Sequence, residues 1–260
     1  MAILKFTGTS WTSIAKLDNI APSSIAKVSN ISVPSSGTPW QSTIYDFNTQ
    51  TIQTNASSDW SPSTAYANDG WVNGTGAVNG NQWTSGRSAK GLNCDSGTTP
   101  SSQTGPAGGM TSVTNGTPNS SSTQRYLYKE TSSNRNSYDH ICRTPGYNFS
   151  TLMNSTTNNL RMVFWYHAYG NTTWSGNLYT IYTDTSTTST STASTQLQTL
   201  AASGNLMSAT TSPYLIQYVD LNNYRTVNST HYFYMLLNPQ TAGTGFRHDI
   251  ALDTVYFEEY

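Results

Sequence analysis

Charge is what the sequence has least of. Lys, Arg, Asp and Glu make up 10% of its 260 residues, against about a quarter in an ordinary soluble domain. The 12 cations are scattered and the net charge is −1. Phosphate backbones need clustered cations, so no nucleic-acid partner is expected. No stretch approaches the ~18 apolar residues of a membrane span, so no membrane insertion is expected. The opening MAILKFTGTSW lacks a basic region followed by a long apolar one, which predicts synthesis in a cytosol without an export signal. Cysteine is nearly missing. Cys94 and Cys142 fit no zinc spacing and form no Cys-x-x-Cys; in a reducing compartment they are two free thiols, with a cross-strand disulfide as the alternative. No long segment carries a capped 3.6-residue period, so helix is all but excluded.

The usual chemistry is also thin. No two of His140, His167, His231 and His248 stand at a metal-ligand spacing. His167 reads as a core histidine or as a polar point on a concave face. There is no Gly-x-Ser-x-Gly elbow to anchor a hydrolase triad, and the turn-dense Gly105–Gly109 lacks the phosphate-loop pattern. Asp249 and Asp253 share a strand but lie four residues apart, ~13 Å when extended. That is too far for a retaining glycosidase pair and marginal for an inverting one. Enzyme activity is therefore not expected, and no cofactor is implied. Asp46 and Asp253 are the candidates for a structural Ca²⁺, because a hard cation takes several oxygens and jelly-roll termini bring first and last strands together. The alternative is that both simply accept backbone N–H groups.

What the chain does have is 17 Tyr, seven Trp and abundant Thr, all of which favour strands. Six runs read as strands: RYLYKE from Arg125, LRMVFWYHAY from Leu160, NLYTIYT from Asn177, PYLIQYVDL from Pro213, HYFYMLL from His231 and HDIALDTVYFEE from His248. The run from Leu160 is continuous, as in a strand covered on both faces. One of its faces would meet a second sheet; the other needs loops or a partner. NLYTIYT alternates, with Leu178, Thr180 and Tyr182 expected on one face and Tyr179, Ile181 and Thr183 on the other. The tract DTSTTSTSTASTQ from Asp184 reads as a polar hairpin or edge strand of weakly specified register. Residues 37–125 read as short strands between long loops. Many strands and almost no helix predict an all-β sandwich or barrel.

The N-terminus repeats itself. SIAKLDNIAPS from Ser13 returns as SIAKVSNISVP from Ser24. Ile14, Leu17 and Ile20 recur as Ile25, Val28 and Ile31, and Pro22 and Pro34 rule out one continuous helix. Six apolar side chains on so short a segment cannot bury one another. They need another surface: a docked extended peptide, a strand added to a sheet edge, or several copies about an axis. VPSSGTP then reads as a linker. The division is an arm over 1–36 and one domain over 37–260.

From about Tyr45 the order of motifs resembles the MAM domain, a concanavalin-like jelly-roll sandwich of adhesion proteins. The pieces are IYDFN, TGPAGGMTSVTNG leading to RYLYKETSS, RTPGYNFS leading to LRMVFWYHAYG, YVDLNNY, and the closing GFRHDIALDTVYF. Thr254 stands where the family often has a second Asp. The resemblance implies an antiparallel β-sandwich jelly roll, a binding or assembly role and no catalysis. The SIAKV-type repeat resembles the N-terminal segment of structural proteins of bacteriophages, especially those of marine and cyanobacterial hosts. Together these imply a virion component: capsid decoration, neck or tail fibre, made in the host cytoplasm, anchored through Ile14, Leu17, Ile20, Ile25, Val28 and Ile31 to other virion proteins. By analogy with phage appendages it would be a homo-oligomer. Host-surface glycans are the expected ligands, on exposed loop rings at Trp60, Trp71, Trp83 and Trp174, which could equally be loop anchors. The alternative is a soluble lectin or adhesion module without a virion role.

Overall fold

The computed structural model describes residues 27–28, 31–32, 38–50, 52, 65–66, 70–78, 83–84, 87–98, 104–110, 116–129, 138–155, 157–170, 175–203, 206–237 and 248–260. Two short strands, β1 (Lys27–Val28) and β2 (Ile31–Ser32), pair antiparallel within the second copy of the repeat. The strands that follow are β3 (Ala65–Tyr66), β4 (Trp71–Asn73), β5 (Ser88–Lys90), β6 (Asn93–Asp95), β7 (Gly109–Met110), β8 (Pro118–Asn119), β9 (Tyr126–Lys129) and β10 (Tyr138–Arg143). After one turn of helix, α1 (Phe149–Leu152), come β11 (Leu160–Gly170), β12 (Ser175–Asp184), β13 (Thr195–Ser203), β14 (Leu215–Asp220), β15 (Tyr232–Leu237) and β16 (His248–Glu259). All six runs marked as strands in the sequence are strands.

Two sheets form an antiparallel β-sandwich jelly roll. The first has the order β13-β12-β15-β10-β4-β3, with β5 alongside β10 in parallel. The second has the order β14-β11-β16-β9-β6. From β9 to β12 the chain steps from one sheet to the other at every strand, and β14, β15 and β16 alternate again. Aromatic rings lock the layers together. Phe233 of β15 meets Phe257 of β16 at 5.0 Å, and Phe164 of β11 meets Tyr179 of β12 edge-on at 5.1 Å. Such pairs add about 1 kcal/mol beyond their buried area. Cys94 of β6 and Cys142 of β10 both lie in this core as free thiols.

A single residue organises the closing strand. Ile250 and Leu252 face the inter-sheet core, and so do Val255 and Phe257. Their parity differs because the pairing of β11 with β16 jumps from Phe164↔Val255 to Trp165↔Asp253. Thr254 is the extra residue, with φ at 47°, a bulge of the kind that kinks a strand and re-aims its side chains. On its far side β16 also changes partner. Residues 250–252 pair with β9, whereas beyond the bulge the strand binds the start of the domain: Tyr45 N–H donates to Val255 O at 2.9 Å and Ser42 N–H to Phe257 O at 2.8 Å. The segment 41–45 and the closing strand thus lie side by side. Of IYDFN, only Tyr45 is in register with β16; Phe47 has a φ of 58° and turns the chain away.

The polar tract after Asp184 is a hairpin. Its far arm, β13, is an edge strand. Pairing of β12 with β13 slips twice, between Asn177 and Tyr179 and between Ile181 and Tyr182, the behaviour expected where two polar faces leave register loosely set. The first slip corrects the simple alternation. Leu178 joins Tyr179 and Ile181 in the inter-sheet core, and Tyr182 packs on the outside.

Candidate functional site

The outer face of the second sheet is divided in two. On β11 the core takes Leu160, Met162, Phe164, Tyr166 and Ala168, so Arg161, Val163, Trp165 and His167 point the other way. Loops cover one half of that face. Trp165 and the neighbouring Tyr126, Tyr128, Ala251, Met110 and Tyr214 form a separate buried cluster. Tyr126 hydroxyl donates to Gly97 O at 2.7 Å, and Tyr214 hydroxyl to Gly108 O at 3.0 Å, tying loops to the sheet. His167 is fully buried here, its ring 5.3 Å from Tyr214. It is a core histidine on the face away from the inter-sheet core.

The other half has no such cover among the described residues. Register places Gln41, Glu258, Arg161 and Asp220 in one row across four neighbouring segments, and Tyr256, Val163 and Tyr218 in the next. Tyr218 is 43% exposed and Tyr260 51% exposed. The Arg161 guanidinium lies 4.2 Å from the Tyr218 ring centre and 4.3 Å from that of Tyr260. Its Nε donates to Glu258 Oε1 at 2.8 Å, and its Nη2 lies 2.6 Å from the same oxygen. Gln41 Nε2 reaches the second Glu258 oxygen at 3.4 Å. Val163, register partner of both Tyr218 and Tyr256, is fully buried between them. Burial, then the charges of Glu258 and Tyr218, raise the Tyr256 phenol above its ordinary range. The result is a surface on which the Tyr218 and Tyr260 rings lie against a held guanidinium and Tyr256 stands in the next row, with amide and carboxylate groups at its ends. Flat apolar rings and converging polar groups are what a sugar-binding face requires.

This face was not singled out from sequence, although its alternation is written in TVYFEEY and LRMV. The sequence points instead to the loop tryptophans, and the structure corrects two of them. Trp71 lies on β4 with 0% exposure, edge-on to Phe47 at 5.2 Å and to Tyr45 at 5.5 Å. Trp83 is 1% exposed, stacked on Tyr234 at 5.0 Å and edge-on to Tyr182 at 5.3 Å. Both are anchors, because a large ring beside a sheet gains more from burial than from exposure. Trp60 and Trp174 lie outside the described residues. So do Ile14, Leu17, Ile20 and Ile25. Val28 and Ile31 are known only as backbone partners in β1–β2.

Asp46 and Asp253 are both engaged by backbone N–H groups. Asp46 is exposed and accepts Asn48 N–H at 3.1 Å. Asp253 is buried and accepts Met110 N–H at 2.7 Å through one oxygen and the Thr254 hydroxyl at 3.2 Å through the other. Burial raises its carboxyl to about 8 despite those donors. Among the described residues no three His, Cys, Asp or Glu side chains come together as a metal site would need. Asp249 is buried on the same face of β16, where Thr104 hydroxyl donates to it at 3.0 Å.

The sequence matches no family model and no curated protein. Solved structures give distant likenesses. The K3 cleaved adhesin domain of Lys-gingipain from Porphyromonas gingivalis is 14% identical over 84% of this chain and 98% of that one, with a TM-score of 0.41. The K1 adhesin domain of the same protein is 13% identical over 52% of this chain and 74% of that one, with a TM-score of 0.35. A Caldicellulosiruptor saccharolyticus CBM27 module, solved with mannohexaose, is 11% identical over 52% of this chain and 74% of that one, with a TM-score of 0.31.

Proposed function

We propose that this chain is a non-catalytic carbohydrate-binding module. It takes glycan on the uncovered half of the second sheet, and its N-terminal segment holds it to a larger particle. The observation that carries the first part is the Arg161 guanidinium set between the exposed rings of Tyr218 and Tyr260, beside Tyr256. Rings held in this way are pre-oriented, so less freedom is lost when a sugar packs on them. The second part rests on the sequence repeat, whose six apolar side chains need a surface to cover them, and on its resemblance to phage structural proteins. In that reading the particle is a virion, the partners of residues 1–36 are capsid, neck or tail proteins, the module is displayed in several copies, and the glycans belong to a host surface. The order of motifs shared with MAM domains fits an adhesive role.

A glycan array probed with the full chain and with the Tyr218→Ala/Tyr260→Ala double variant tests the first part. The wild type is expected to bind, and the folded double variant to lose roughly tenfold or more in affinity. A wild type that binds no glycan, or a variant that binds equally well, contradicts it. Deleting residues 1–36 tests the second part: the sandwich should keep its thermal midpoint and fail to enter particles. Normal incorporation would leave a soluble lectin or adhesion module as the better description.

A further inference from the structure

We infer that the glycan taken by this face is uncharged, and that sulfated or carboxylated glycans are turned away. The inference rests on the carbohydrate-binding reading and narrows it. Among the described residues Arg161 is the one Lys or Arg on the strands that build the face, and its charge is already committed. Two of its nitrogens meet Glu258 Oε1, and its Cζ lies 4.2 Å from the Tyr218 ring centre and 4.3 Å from that of Tyr260. Around it stand acceptors. Glu258 Oε2 is reached by Gln41 Nε2 at 3.4 Å. Asp220, exposed and opposite Arg161 in register, accepts Asn222 N–H at 2.8 Å through one oxygen. Among the described residues of these strands Glu258, Asp220 and Arg161 sum to one negative charge, and Arg225, beyond the end of β14, is turned to Asn158 O at 3.2 Å.

A neutral sugar fits that arrangement. Its hydroxyls donate to carboxylate oxygens, each of which accepts more than one hydrogen bond, and its C–H faces pack on tyrosine rings. A sulfate or uronate brought to the same place meets Glu258 and Asp220, while the Arg161 guanidinium is already held by Glu258. Like charges a few ångströms apart repel strongly at a partly desolvated surface. The row Gln41–Glu258–Arg161–Asp220 crosses three interstrand gaps, ~14 Å in all, so the bound chain runs across the strands.

The test is the full chain against paired polymers of one backbone with and without anionic substituents: dextran and dextran sulfate, cellulose oligosaccharides and their carboxymethyl derivatives, mannan and sulfated mannan. At least one neutral member is expected to bind, with its charged partner about tenfold weaker or worse, and the gap should widen as salt is lowered. Glu258→Gln, which frees Arg161 and removes one negative charge, should narrow that gap. A charged member bound as tightly as its neutral partner, and weakened by Tyr218→Ala, overturns the specificity and leaves the carbohydrate reading standing. If no polymer of either kind binds, both fall. If a neutral polymer binds with Tyr218→Ala and Tyr260→Ala without effect, the site lies elsewhere and the inference is wrong.

Discussion

Asp253 shows how one residue can carry both fold and pH response. Its carboxyl sits under the loop at Met110, and burial lifts its pKa to about 8 from the 3.8 of a free carboxyl. The folded protein therefore holds a proton that the unfolded chain releases. Between about pH 4 and pH 8 the unfolded state binds fewer protons, so stability falls as pH rises through that range. Lys129 works the other way. Burial lowers its amine to about 7, so the stability it withholds at low pH returns between pH 7 and 10.5. Between about pH 4 and pH 7 the contribution of Asp253 runs against that of His231, whose imidazole pKa is lowered by burial from its ordinary value, so the wild type and a variant lacking the Asp253 carboxyl are compared over that window. Asp253→Asn is expected to remove a fall of a few kcal/mol, as an order of magnitude, seen as a thermal midpoint that varies less with pH than that of the wild type. An unchanged slope would mean that the carboxyl is ionised throughout. None of this is legible in the sequence. In sequence Asp253 reads as an edge carboxylate or a cation ligand, and only the pairing that carries loop 104–110 over β16 shows it to be buried.

At the scale of elements, strand identity was legible and strand partnership was not. Alternation and β-branched or aromatic content marked β9, β11, β12, β14, β15 and β16, because those properties are local. The bulge at Thr254 was hidden, since an extra residue in a pairing is a property of two strands. So was the slip that moves Leu178 into the core. Trp71 and Trp83 were misjudged for the same reason: a ring in a Gly- and Asn-rich stretch looks like a loop ring until its neighbours in the sheet are known. The loops that cover half of the second sheet depend on close backbone approach. A Cβ at Gly108 would overlap the Asn119 carbonyl, whereas one at Gly97 meets nothing within 4 Å. Gly108→Ala should then cost about 2 kcal/mol or more, because backbone and not a flexible side chain must move. Gly97→Ala should be close to neutral. Equal midpoints for the two variants in denaturant unfolding would show that the loop does not need that contact.

For the whole molecule, the continuous run Met162–Tyr169 raised the main question: a strand apolar on both faces needs two covers. The inter-sheet core is one. The other is built half from loops, over Trp165 and His167, and half from the tyrosines around Arg161. The need for a second cover was legible from the run itself. The identity of the uncovered half was not, because Tyr218, Tyr256 and Arg161 come from three strands, Tyr260 is the residue after β16, and only the fold brings them side by side. The most direct measurement of the central claim is NMR on protein with labelled tyrosine and tryptophan rings, titrated with a glycan selected from the array. The account predicts that Tyr218, Tyr256 and Tyr260 shift together with added ligand while Trp71 and Trp83 stay still. Shifts confined to other rings, with these three tyrosines unmoved, would contradict it.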